Sequence, residues 1–102
     1  MELYLVYEFI YHNFDEDREE GIEFFGLHKS KEKARKVANK RVKKGIKEYD
    51  VVLSEEISNT DNPFEETDMV DMYREDDEID APIYSICIKK FKIGRKDEKW
   101  TK

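Results

Sequence analysis

Hydrophobic positions in the first dozen residues fall on both phases of a two-residue repeat. Residues 2–12 read Glu-Leu-Tyr-Leu-Val-Tyr-Glu-Phe-Ile-Tyr-His, aromatic and β-branched for most of their length, with no Gly or Pro. A strand with one face in water alternates apolar with polar, so this run predicts a central strand and not a solvated edge. Residues 12–21 are polar and acidic and end in Gly21, and Ile22-Glu23-Phe24-Phe25-Gly26-Leu27 then predicts a second strand, antiparallel to the first, across a long charged tip.

The period then changes. Ser30 offers an N-cap hydroxyl, Glu32 sits in the first turn where the helix dipole favours an acid, and Ala34, Val37, Ala38 and Val42 follow at helical spacing until Gly45, which predicts a stop. The capping box is incomplete, because Lys33 stands where Glu or Gln would reach back. Residues 49–58 alternate, with Tyr49, Val51, Leu53 and Ile57 on one face, and predict a half-exposed strand. Residues 59–80 read as an acidic insertion in which Asp61-Asn62-Pro63 resembles a helix start, followed by Phe64, Val70 and Tyr73 at roughly helical intervals. Pro82 precedes a last strand over 83–93, where a phase shift between Ile88 and Phe91 predicts a bulge at Lys89-Lys90. Residues 94–102 form a basic tail carrying Trp100.

Strand, strand, helix, strand, strand predicts an α+β fold. It is a single two-layer domain over residues 1–102, with a small, mainly antiparallel sheet of about four strands and one main helix packed on one face. With 102 residues there is room for one core, and 13% aromatic residues supply it in a chain that is 43% charged. No apolar run approaches the roughly 18 residues that would span a bilayer, and the N-terminus has neither a basic n-region nor a small-residue cleavage site, so no membrane association is expected. The lone Cys87, inside the apolar run 83–88, makes no intrachain disulfide and reads as buried, which places the chain in the cytoplasm.

The net charge of −6 hides a segregation along the chain. Residues 1–28 hold one base and eight acids, 29–47 ten bases and one acid, 55–80 one base and twelve acids, and 89–102 seven bases and two acids. The order is acidic, basic, acidic, basic.

Tyr4-Leu5-Val6-Tyr7-Glu8, then Phe25-Gly26-Leu27-His28-Lys29-Ser30-Lys31-Glu32-Lys33-Ala34, then Tyr84-Ser85-Ile86 with Trp100, carry a resemblance. The chain resembles a family of small uncharacterised bacterial and phage α+β domains with a Val-Tyr opening strand, a Ser-Lys-Glu-Lys-Ala helix start and a closing strand followed by Trp. That family supplies no catalytic residues to transfer. The resemblance implies the fold and a prokaryotic or phage setting, and the acidic insertion and long hairpin tip depart from it.

Enzymatic constellations are thin, and the chain reads as a non-enzyme without cofactor. Cys87 sits mid-strand between Ile86 and Ile88, a setting for a structural thiol. His12 and His28 could meet across the hairpin, but they lack Cys partners and HxxxH spacing, so no metal is expected. Residues 15–20 lack the Gly and the terminal-Glu spacing of a calcium loop, and no phosphate-binding or nucleophile-elbow motif is present.

The basic helix could sit on phosphates, although two strongly acidic segments disfavour direct nucleic-acid binding. The acidic segment is the feature that folding requires least. Its Glu65, Glu66, Asp68, Asp71, Glu75, Asp76 and Asp77, with Phe64 and Tyr73 as anchors, suit a basic groove on a protein partner. The competing reading is a solubilising loop, or one folded over the chain's own basic helix. The leading expectation is therefore an anti-CRISPR-like inhibitor of a basic, nucleic-acid-binding bacterial defence protein. The alternatives are an immunity or antitoxin protein and a nucleic-acid-binding regulator using the Lys-rich helix, with a homodimer as an open option.

Overall fold

The computed structural model describes residues 1–11, 21–49, 51–74 and 82–92. The hairpin tip, Glu75, Asp76, Asp77 and the tail with Trp100 lie outside them. Strands β1 (Glu2–Ile10), β2 (Gly21–His28), β3 (Val51–Leu53), β4 (Met69–Arg74) and β5 (Tyr84–Lys92) form one sheet in the order β2-β1-β5-β4-β3, with every neighbouring pair antiparallel. Helix α1 (Lys31–Tyr49) carries the chain from the β2 edge to the β3 edge across one face. Its 19 residues reach about 28 Å, enough to cross five strands spaced about 4.8 Å apart. The result is an α+β domain of two layers, with five strands in place of about four. No helix among the described residues is long and apolar enough to cross a membrane.

The core lies between helix and sheet. Register partners share a face, which places Tyr4, Val6 and Ile10 of β1 with Tyr84, Ile86 and Ile88 of β5 and Val70 and Met72 of β4 beneath Ala34, Ala38 and Val42 of α1. Ser30 caps the helix as expected: its hydroxyl accepts the Lys33 N–H at 3.3 Å and its carbonyl the Ala34 N–H at 3.1 Å. Gly45 does not end the helix, which continues to Tyr49. A Cβ at Gly45 would stand 1.8 Å from the Tyr84 hydroxyl oxygen, so glycine is there to let helix backbone and sheet approach each other.

Three further expectations change. The region that suggested a short helix holds one 3-10 turn, Pro63–Glu65, and then β4, in which Val70 and Met72 are buried with a period of two. Its described part is thus woven into the sheet. The strand expected over 49–58 shrinks to β3, because α1 runs through Tyr49 and Ser54 begins a turn closed by the Ile57 N–H on its carbonyl.

The pairing of β1 with β5 is unbroken from Glu2–Lys92 to Ile10–Tyr84, so no bulge lies at Lys89-Lys90. Ile88 and Phe91 point to opposite faces, and both faces are apolar. The bulge is on β2, where Val6 pairs with Gly26 and Tyr7 with Phe24, leaving Phe25 over. Gly26 takes φ +128 there, and Phe25 lies beneath the Arg41 guanidinium, 4.0 Å from its ring centroid.

Candidate protein-binding surface

Among the described residues nothing packs over the sheet face opposite the helix, and that face is apolar. Register places Leu3, Leu5, Tyr7 and Phe9 of β1 on it, flanked by Ile22, Phe24 and Leu27 of β2 and by Cys87 and Phe91 of β5. Met69 and Tyr73 of β4 and Val52 of β3 extend it to the far edge. Phe24 is 64% exposed, Leu27 55%, Met69 53%, Ile22 52%, Phe91 41% and Val52 39%. With 150–250 Å² for a whole aromatic side chain, these exposures and the half-buried β1 residues leave on the order of 700 Å² of apolar surface in water. Monomers rarely show contiguous apolar patches above a few hundred Å².

Polar groups on this face are few and mostly engaged with each other. The Ser85 hydroxyl, 1% exposed, meets the Asp71 carboxylate and lies 3.1 Å from the Tyr11 hydroxyl. Tyr7 pairs with Cys87 across the strands, and burial pushes both the phenol and the thiol up from their ordinary values. For the thiol, Asp71 adds to the rise, and hydrogen bonding to Tyr7 opposes it. A protonated thiol of this kind is a packing group and no nucleophile. The charged strand residues on the face, among those described, are Asp71 and Lys89.

The expected acidic surface is divided. Asp71 and Tyr73 belong to the open sheet face, while Glu65, Glu66 and Asp68 lie in the segment between β3 and β4, Glu65 and Asp68 beside the helix. There Glu65 reaches Arg35 at 3.8 Å and Asp68 reaches Lys31 at 3.5 Å. Glu66 accepts the Ser58 hydroxyl at 2.6 Å together with the Ser58 and Asn59 N–H groups, which hold its carboxyl below the ordinary carboxylate value. Phe64 cannot anchor a partner, because it is 0% exposed and packs in the core. Its N–H donates to the Asn39 side-chain oxygen at 2.9 Å, which ties the turn to the helix. Segment and helix are thus joined within the chain, as the competing sequence reading expected.

Two other features complete the helix side. Lys33, Lys36, Lys40, Lys43, Lys44 and Lys47 are exposed on the solvent face of α1 and form a basic ridge. Between the later turns of α1 and the sheet, a cavity of about 40 Å³ is lined by Glu8, Glu23, Arg41, Lys44 and Tyr84, polar and of a size for water only. No group of three or more His, Cys, Asp or Glu able to hold a metal occurs among the described residues.

Sequence reasoning left the open face without a role, although its signal was visible: β1 is apolar on both phases, and one helix covers one face only. No family model, curated protein or solved structure matches the chain.

Proposed function

We propose that this chain is a non-enzymatic binding protein that acts through protein–protein contact, with the open sheet face as its interface. The observation that supports it is the extent of that face. Its apolar area is of the size that interfaces cover, and Tyr7, Phe9, Phe24, Met69, Tyr73 and Phe91 on it are of the aromatic and methionine types that interfaces favour. A photo-crosslinking residue placed at Phe24 tests the reading in cells producing the protein. The expected result is a protein adduct from Phe24 and none from Lys40 on the helix ridge. No adduct from Phe24 removes the reading.

The concrete version is an inhibitor, of the anti-CRISPR kind, acting in the cytoplasm on a basic nucleic-acid-binding defence protein, whose basic groove would meet the acidic segment between β3 and β4 and not the sheet face. Support comes from the net charge of −6 and from Glu55, Glu56, Asp61, Glu65, Glu66 and Asp68, all exposed between β3 and β4. Producing the protein in a defence-bearing host should restore phage plating. Plating that stays blocked while the protein accumulates counts against the inhibitor and leaves the binding reading to the crosslink.

A second reading rests on the six-lysine ridge of α1, which could track phosphates. It predicts a gel shift of DNA or RNA that fades steeply as salt rises.

A further inference from the structure

We infer that the occupant of the open sheet face is a second copy of this chain, so that the working unit is a four-layer dimer with sheets inside and helices outside. The inference rests on the reading of this face as an interface, and three observations extend that reading to self-association.

The first is area. A standard interface buries about 800 Å² per partner, and the open face offers apolar surface of that order from six strongly exposed side chains and their β1 neighbours. The second is charge. Among the described strand residues the face carries one cation, Lys89, and one anion, Asp71. A basic or an acidic partner would find no surplus charge to meet there, whereas a copy of the same face supplies one charge of each sign.

The third is their placement. Cys87 and Met69 are register partners; Lys89 lies two residues along β5 in one direction, and Asp71 two residues along β4 in the other. A two-fold axis in the interface, crossing the sheet between Cys87 and Met69, therefore sets Lys89 of each copy opposite Asp71 of the other. It also inclines the two sheets by a few tens of degrees, the range in which twisted sheets pack about 10 Å apart. A closed two-fold of this kind uses the same patch twice and ends assembly at two.

Sedimentation of the full chain over a range of concentration tests this, with circular dichroism as the check on folding. The expected result is a dimer for the wild type and a folded monomer for Phe24→Glu and for Leu27→Glu. Lys89→Glu and Asp71→Lys should each weaken the dimer on the order of tenfold or more, and an equimolar mixture of the two should restore it, because each variant then meets its opposite charge. With both variants folded by circular dichroism, a mixture no tighter than its components overturns the proposed pairing, and the Phe24→Glu and Leu27→Glu arms test the face independently of these two.

A wild type that stays monomeric overturns the inference. The Phe24 crosslink then separates the cases: an adduct with a different protein keeps the face as an interface, and no adduct removes both readings. A dimer that survives both Phe24→Glu and Leu27→Glu places self-association elsewhere and likewise overturns the inference.

Discussion

Gly45 shows how one missing methyl group sets the distance between two layers. In an exposed helix, replacing Gly with Ala stabilises by about 1 kcal/mol, but here the added carbon would stand 1.8 Å from the Tyr84 hydroxyl oxygen and 3.1 Å from its ring carbon. Tyr84 is 1% exposed and has little room to withdraw. Gly45→Ala is therefore expected to destabilise by about 1–3 kcal/mol, the usual range for an overpacked core. Gly45→Ala with Tyr84→Phe should recover part of that loss, as denaturant unfolding of the wild type, Gly45→Ala, Tyr84→Phe and the double variant would show.

A second residue-scale consequence concerns Glu66. Its carboxyl is held below the ordinary value of 4.5 chiefly by the Ser58 hydroxyl and the Asn59 N–H, with the Ser58 N–H adding to them and desolvation opposing. A group depressed in the folded state stabilises fully above its unfolded value and loses that contribution as pH falls through the folded one. Melting temperature should thus drop below pH 4.5 more steeply in the wild type than in Glu66→Gln.

At the scale of elements, α1 is a stripe of small residues on a sheet. Val42 is fully buried on that stripe and Lys40 is exposed. Val42→Asp puts an unpaired charge in the core and should cost several kcal/mol, while Lys40→Asp should stay within about 1 kcal/mol. Equal stability of the two by chemical denaturation would refute the assigned face.

The start of α1 was legible because Ser30 caps through its own hydroxyl, a local interaction. Its end was not, because what Gly45 accommodates is Tyr84, 39 residues away in the sequence. β4 was obscured in the same way. Its short run Val70, Asp71, Met72, Tyr73 fits either period, and pairing with β5 decides for the strand. The phase shift in β5 was a true signal read one step too locally: it marked two apolar faces where a bulge was inferred. Phe64 looked like an anchor because acids surround it in sequence, while in space it lies beneath α1.

The whole molecule keeps opposite charges side by side. The acidic segment between β3 and β4 lies against the basic helix, joined at its rim by Lys31–Asp68 and Arg35–Glu65. Both pairs are partly exposed, and solvent-accessible pairs contribute about 0–1 kcal/mol, so their weight falls on the field around the helix more than on stability. That field decides between two uses of the lysine ridge. With Glu65 and Asp68 charged, an approaching polyanion meets repulsion beside the ridge. Glu65→Gln with Asp68→Asn removes that repulsion, frees Lys31 and Arg35, and changes the net charge from −6 by two units.

The double variant should melt within a few degrees of the wild type and bind DNA more tightly at low salt, with a steeper fall in affinity as salt rises. If the segment also contacts a basic protein, the same variant should associate with that partner more slowly. A large drop in melting temperature with unchanged DNA binding would mean that the two carboxylates serve the fold alone, and the acidic segment would then lose its part in recognition.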